Sequence, residues 1–224
     1  MQEKIAKGLF WRSLEGLGVQ GMQFFIQLFL ARILMPEDFG VIAILNIFIN
    51  LANTFVQNGL GAAILQKKNP EQVDYCTVFY VECGIAVLMY IIIFVTAPLI
   101  ATFYDNEYIT TYLRIFSLTI IFCALGSMQT TVLRRRLDFK SSFIANFVGI
   151  ICQGFCGIGA ALCGWGIWSI IISQIIYRIV TSFLLFIFAR WIPALMFSFR
   201  HLVTLFSFSW KLFVGWLIGT DRKS

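Results

Sequence analysis

The chain has 224 residues, of which 59% are hydrophobic and only 12% charged, and its mean hydropathy is +0.85. Soluble domains average about 45–50% apolar and about 25% charged residues, so this composition excludes an ordinary soluble domain or soluble enzyme. The net charge of +6 comes largely from lysines and arginines between apolar runs. This placement indicates control of membrane topology and contact with the headgroups of a lipid bilayer, and it argues against nucleic acid as a partner.

Six apolar segments are long enough to cross a bilayer core about 30 Å thick, which takes about 20 helical residues. In chain order they cover residues 8–34, 39–57, 77–100, 112–133, 143–162 and 165–189. A seventh begins near Val203 and is short, because about 16 residues later the sequence becomes polar. We therefore predict an all-α, polytopic transmembrane helix bundle with six full spans and a partial seventh. Its short loops make sequential spans antiparallel neighbours.

Basic residues predict the orientation of these spans. If the spans alternate in direction, one side of the membrane receives Lys4, Lys7, Lys67, Lys68, Arg134, Arg135, Arg136, Lys140, Arg190 and Arg200. The opposite loops hold mainly acidic residues, such as Glu37, Asp38, Asp105 and Glu107. By the positive-inside rule we expect a multi-pass protein of the inner or plasma membrane with a cytoplasmic N-terminus.

The first two spans each carry a polar seam on an otherwise apolar helix. At 100° per residue, Arg12, Gly16, Gln20, Gln23 and Gln27 fall within about 80°, with Glu15 at the edge of that arc. On the second span, Asn46, Asn50, Asn53 and Gln57 fall within about 60°. A single amide of this kind more often bonds a neighbouring helix. Two seams that run the depth of the membrane favour a hydrated substrate path.

Arg178 lies near the middle of the sixth span, on a face shared with Gln174, Tyr177 and Thr181. An arginine in hydrocarbon must be paired, hydrated or bound to an anion. Two readings stay open: an ion pair with Glu15 or Glu82, and a site for a phosphate or pyrophosphate group. Arg12 has the same ambiguity. The triplet of Arg134, Arg135 and Arg136 is expected to set topology, although it could also hold acidic lipid headgroups.

Signatures of a membrane enzyme, a pump or a metal site are absent from the sequence. The single histidine, His201, is expected to be solvated, and no DxD-type carboxylate pair and no glycine-rich phosphate loop occur. Among the six cysteines, Cys152 and Cys156 share a helix face, but no histidine or carboxylate is near them in sequence to complete a metal site. We expect no catalytic residue, no cofactor and no metal, and we favour a transporter over an enzyme.

Five short segments carry a resemblance to a known family. They are KGLFW at 7–11, LARILMPEDFG at 30–40, NGLGAAILQK at 58–67, LRRRLDF at 133–139 and FSWK at 208–211. The chain resembles the polysaccharide transporter family, the O-antigen and colanic-acid type flippases of the MOP (MATE-like) superfamily. The most specific piece is the turn from Pro36 to Gly40. Pro36 ends the first span, because proline cannot continue a helix, and the acidic residues Glu37 and Asp38 suit the positive N-terminus of the second.

The resemblance implies a flippase that exports an undecaprenyl-pyrophosphate-linked oligosaccharide for cell-surface polysaccharide or lipopolysaccharide biosynthesis. It also implies two pseudo-symmetric halves around a cationic cavity, with polysaccharide polymerase or export machinery as candidate partners. Residues 1–224 would then be the membrane-embedded N-terminal half in a truncated copy or fragment, with the second half absent. Two alternatives stay open: a multidrug-type cation exporter of the same superfamily, and an inactive fragment.

Overall fold

A computed structural model describes residues 2–57, 60–199 and 201–203, with side chains described from Gly16 onward. Within these ranges the chain is helical and contains no strand. The helices, in chain order, are α1 Gln2–Ile33, α2 Pro36–Val56, α3 Leu60–Gln66, α4 Gln72–Phe103, α5 Tyr108–Phe116, α6 Leu118–Arg135, α7 Phe139–Leu162 and α8 Ile167–Ala189.

Five stretches of the described residues are long and apolar enough to cross a membrane. They are Pro36–Gln66, Gln72–Phe103, Tyr108–Arg135, Phe139–Leu162 and Ile167–Ala189, and they coincide with the second to sixth predicted spans. The first predicted span falls on α1, whose side chains before Gly16 lie outside the described part. Nearly all of the seventh lies beyond the described residues. The count of six spans and a partial seventh therefore stays a prediction.

Two local features differ from the predicted helices. The fourth span is divided at Ser117, where the Ser117 hydroxyl donates to the carbonyl of Arg114 at 2.9 Å and Thr119 Oγ1 donates to that of Phe116 at 2.6 Å. Such side-chain bonds compete with the regular helical ladder and bend helices. The second feature is the seven-residue α3, which is too short to leave a clear periodic pattern in the sequence.

Small residues let the central helices pack closely. Helix α7 packs against α8 on one side and α1 on the other. Helix α8 also packs against α6, which in turn contacts α4. A Cβ added at Gly157 would lie 3.0 Å from Ser173 Cβ, and one at Gly149 would collide with the hydroxyl of Thr181. The turn between α7 and α8 holds Gly164 and Gly166 at φ of +80° and +52°, which glycine adopts without strain.

The segment after α8 is tied back onto the start of α4. Asp74 is fully buried and accepts hydrogen bonds from Lys67 Nζ and from His201 Nδ1, each at 2.7 Å. Trp191 Nε1 donates to Gln72 Oε1 at 3.0 Å. The prediction that His201 is solvated is therefore wrong, because the fold brings the carboxylate of Asp74, distant in sequence, into contact with the His201 ring.

Large apolar side chains cover the outer surface of the bundle. Val95, Leu99, Phe103, Phe155 and Phe183 are each exposed over more than three fifths of their surface. Soluble monomers rarely expose contiguous apolar patches beyond a few hundred Å². The outer surface thus suits hydrocarbon.

Candidate functional site

Residues of five helices (α3, α4, α6, α7 and α8), together with Gln57 just after α2, surround a cavity of about 370 Å³, which we call the charged cavity. It lies at the end of the bundle where α2 and α6 end and α7 begins, beside the basic residues Lys67 and Lys68. Its polar lining includes Gln57, Glu82, Ser127, Arg134, Asn146 and Arg178. The structure thus brings together two of the predicted site residues, Gln57 and Arg178.

Arg178 reaches the charged cavity from the middle of α8. Its guanidinium lies 5.5 Å from the centre of the Tyr177 ring, a cation–π distance. The hydroxyl of Tyr177 donates to Asn146 Oδ1 at 3.0 Å, so α7 and α8 are joined beside the arginine. Within the described part of the chain Arg178 forms no ion pair with a carboxylate. This arrangement leaves its guanidinium donors available to a ligand in the cavity.

Glu82, which the sequence offered as a partner for Arg178, lines the same cavity without pairing to it. Its side chain is 1% exposed, and its Oε2 atom has no hydrogen-bond partner among the described residues. Ser127 lies within hydrogen-bonding reach of this carboxylate. Glu15, the other partner that was considered, lies outside the described side chains. The cavity therefore presents two guanidinium groups, of Arg134 and Arg178, and one carboxylate.

The three arginines at the end of α6 have different roles in the structure. Arg135 donates to the carbonyls of Ile64, Lys67 and Lys68 at 2.8, 2.8 and 2.9 Å, so it closes the C-terminal end of α3. Arg136 donates to the carbonyl of Ala189 at 2.6 Å and so closes the end of α8. Arg134 is exposed and lines the charged cavity. A topological role was predicted for all three, and two of them also hold helix ends together.

A second cavity, of about 240 Å³, lies toward the other end of the bundle, between α1, α2, α7 and α8. We call it the neutral cavity, because no charged residue lines it. Its polar lining consists of Gln23, Gln27, Asn46, Gln153, Ser173 and Gln174. Gln153 is 6% exposed, and its Oε1 atom is buried without a partner among the described residues.

The predicted seams are thus divided between two places. Gln23, Gln27 and Asn46 line the neutral cavity, and Gln57 lines the charged one, where its Nε2 donates to Cys123 Sγ at 3.4 Å. Three more predicted residues line neither: Gln20 and Asn50 are exposed, and Asn53 is half-buried with its Oδ1 unpartnered among the described residues. Arg12 and Glu15 lie outside the described side chains.

Sequence reasoning missed several lining residues. It assigned no site role to Asn146, Gln153 or Ser173, it considered Arg134 only for topology or lipid headgroups, and it weighed Glu82 as an ion-pair partner. A signal for two of them was present, because Asn146 and Gln153 are seven residues apart and so share a face of α7. The described residues contain no group of three or more histidine, cysteine, aspartate or glutamate side chains that could hold a metal ion.

The sequence is similar to known proteins of polysaccharide biosynthesis. The sequence profile of the family described as "Polysaccharide biosynthesis protein" matches residues 29–220. The succinoglycan biosynthesis transport protein ExoT of Rhizobium meliloti is 27% identical over 208 residues, which are 93% of this chain and 42% of the relative. No solved structure is significantly similar to the chain.

Two further relatives come from other bacteria. The teichuronic acid biosynthesis protein TuaB of Bacillus subtilis is 26% identical over 160 residues, which are 70% of this chain and 33% of the relative. The lipopolysaccharide biosynthesis protein WzxC of Escherichia coli is 21% identical over 182 residues, which are 81% of this chain and 36% of the relative. The chain thus spans between 33% and 42% of the length of these three relatives. Its apolar helices and its relatives identify it as a multi-pass membrane protein.

Proposed function

Because the chain belongs to the family of polysaccharide biosynthesis proteins, we propose that it forms part of an exporter for a lipid-linked oligosaccharide of the undecaprenyl-pyrophosphate type. The exporter would serve the assembly of a cell-surface polysaccharide. The observation that carries this proposal is the charged cavity, in which Arg178 faces open space without an ionic partner in the described part of the chain. A lipid-linked diphosphate would supply the anion that such a membrane-embedded arginine needs.

The geometry of the charged cavity favours an anion of the phosphate class. Guanidinium groups offer paired N–H donors that match phosphate oxygens, and hydrogen bonds of this charge-assisted kind are among the strongest in proteins. Arg134 and Arg178 enter the cavity from two different helices, α6 and α8, so a diphosphate could bridge them. Asn146 and Thr131 add neutral polar groups to the lining. With two guanidiniums to one carboxylate, the cavity suits an anion better than a cation.

Transport requires that this cavity open in turn to each side of the membrane. The exposed amides Gln20, Gln27, Asn50 and Gln57 give α1 and α2 a polar surface in an apolar bundle. We propose that a second membrane half, or a second copy, covers this surface and encloses the path. The lipid tail of the substrate would stay in the bilayer while its glycan crosses. No bond is made or broken in this process, so the protein would be a carrier and not an enzyme.

Membrane placement follows from the same reading. The charged cavity lies at the end of the bundle that holds Lys67, Lys68 and the Arg134–Arg136 triplet. By the positive-inside rule this end would lie on the cytoplasmic side of a bacterial inner or plasma membrane. Lipid-linked precursors would present their diphosphate to the cavity from that side. Polysaccharide polymerases and export machinery on the opposite side are the partners that such an activity would need.

Binding of inorganic pyrophosphate to the purified chain in lipid nanodiscs tests the proposal. We expect Arg178→Gln to weaken this binding about 10- to 100-fold, because a hydrogen bond to a charged group contributes about 1.5–3 kcal/mol. Arg190→Gln is the matched control, since Arg190 ends the same helix but does not line the cavity. Equal affinities of the two variants for pyrophosphate would contradict an anion site at Arg178.

A second experiment addresses the alternatives. The 224-residue chain is expressed in a strain that lacks its polysaccharide exporter, and restored surface polysaccharide would exclude an inactive fragment. The buried Glu82 is the observation that favours a cation exporter, because a carboxylate in a membrane helix can hold a cationic substrate. That alternative predicts saturable binding of tetraphenylphosphonium that is lost in Glu82→Gln. The anion proposal predicts no such binding.

A further inference from the structure

The neutral cavity occupies a different depth of the bundle from the charged cavity, along the same helices. On α8, Gln174 precedes Arg178 by four residues, which is about 6 Å along the helix axis. On α7, Gln153 follows Asn146 by seven residues, or about 10 Å. On α2, Asn46 precedes Gln57 by eleven residues, or about 16 Å. A ligand that extends along these helices from one cavity to the other would therefore meet guanidinium groups at one end and uncharged amides at the other.

The lining of the neutral cavity has the chemistry of a site for hydroxyl groups. Each of its five amide side chains carries a C=O acceptor and an NH₂ donor, and Ser173 adds a hydroxyl. Sugar hydroxyls likewise both donate and accept, so amides can match them without bringing in charge. A volume of about 240 Å³ corresponds to about eight water molecules at about 30 Å³ each, which is room for one sugar ring.

Gln153 distinguishes a binding site from simple bonding between helices. If its amide only joined α7 to a neighbour, its oxygen would be bonded to that neighbour. Instead Oε1 is buried with no partner in the described part of the chain, while the side chain lines the cavity. A buried polar atom without a partner is costly and calls for a ligand or water. Ser173 lines the same cavity from α8, and its Oγ donates a 2.9 Å hydrogen bond to the carbonyl of Ile170.

We propose that the neutral cavity is a separate subsite that binds one uncharged sugar ring of the transported glycan, with Gln153 Oε1 accepting a hydrogen bond from a sugar hydroxyl or amide. This inference rests on the proposed function for the nature of the ligand, and it assigns to the site a specificity that the charged cavity lacks. The diphosphate end would be common to all substrates of this kind, whereas the neutral cavity would distinguish one sugar from another.

Saturation-transfer NMR on the purified chain in nanodiscs tests this subsite directly. The probes are glucose, galactose, rhamnose and N-acetylglucosamine, none of which carries phosphate. We expect at least one of them to bind saturably. Gln153→Met, which keeps the approximate length of the side chain and removes its polar atoms, should weaken that binding about 10-fold, since the lost partner leaves a sugar group unpaired. Gln66→Met is the matched control, because Gln66 is exposed and lines neither cavity.

Pyrophosphate binding, measured on the same samples, reports on folding and separates the two proposals. Gln153→Met should bind pyrophosphate within 2-fold of the parent chain, and Arg178→Gln should keep the sugar signal. Absence of saturable binding by all four sugars, or equal sugar affinity of Gln153→Met and Gln66→Met, would overturn the subsite. Failure of the parent chain to bind pyrophosphate, with its sugar binding intact, would instead count against the charged cavity.

Discussion

Replacement of Arg135 by glutamine should separate the structural from the functional members of the arginine triplet. The guanidinium of Arg135 makes three short hydrogen bonds, to the carbonyls of Ile64, Lys67 and Lys68 at 2.8–2.9 Å. These carbonyls lie at and just after the end of α3, where the helix leaves its last C=O groups without intrahelical partners. Arg135→Gln removes the guanidinium group that binds these three carbonyls.

The size of the effect follows from these bonds. A hydrogen bond to a charged group contributes about 1.5–3 kcal/mol, and two of the three are partly buried. The bond to Lys68 is exposed, so water can replace it at little cost. Two bonds at the lower end of the range give a loss of about 3 kcal/mol. For a chain of this size each kcal/mol lowers the melting temperature by about 2–4 °C, so we expect a decrease of about 6–12 °C.

Thermal unfolding in detergent can be followed with a thiol-reactive dye, since Cys76 and Cys123 are buried in the folded chain. Arg134→Gln is the matched control: it removes the same charge one residue earlier, from an exposed side chain that bonds no carbonyl in the described residues. It should lower the melting temperature by less than about 3 °C, as surface substitutions do. The affinity for pyrophosphate should show the opposite order: Arg134→Gln should bind pyrophosphate more weakly than Arg135→Gln does. Equal melting temperatures for the two variants would refute this assignment.

Two further predictions concern helix packing and orientation. Gly149→Ala should lower the free energy of unfolding by about 1–3 kcal/mol, because the added Cβ collides with Thr181. Gly159→Ala should be neutral, since its Cβ would meet no side chain and no other helix within 4 Å. Equal stability of the two variants would contradict the close packing of α7 on α8. A membrane-impermeant thiol reagent should label the exposed Cys163 in intact spheroplasts and should label a cysteine at Lys68 (Lys68→Cys) only after permeabilisation. The reverse pattern would contradict a cytoplasmic N-terminus.

Sequence periodicity predicted much of the candidate site but not its division. It placed Gln23, Gln27 and Asn46 on polar faces, and the structure brings these three amides around one cavity. It could not predict that Gln57 would belong to another cavity, because periodicity gives the face of a helix and not the neighbours at each depth. The same periodicity could have predicted Gln153, because it shares a face of α7 with Asn146.

The arginine triplet shows a different limit of prediction from the sequence. Three adjacent arginines carry the same charge signal in a sequence, so the same roles, topology or contact with acidic lipid headgroups, were predicted for all of them. Successive residues of a helix point in directions about 100° apart. Arg135 therefore meets the end of α3, Arg136 meets the end of α8, and Arg134 meets the charged cavity. Which carbonyls lie in each direction depends on how the distant helices pack.

By itself, the sequence determined that this chain is a bundle of membrane helices and where its second to sixth apolar segments lie. The physical reason is that a bilayer imposes a minimum length and an apolar surface on each span, and both can be read from composition and spacing. Only the tertiary structure decided which side chains meet. Glu82 and Arg178 are 96 residues apart, Asp74 and His201 are 127 apart, and neither relation has a local signature. Contacts of this kind depend on the packing of helices whose outer faces are all similarly apolar.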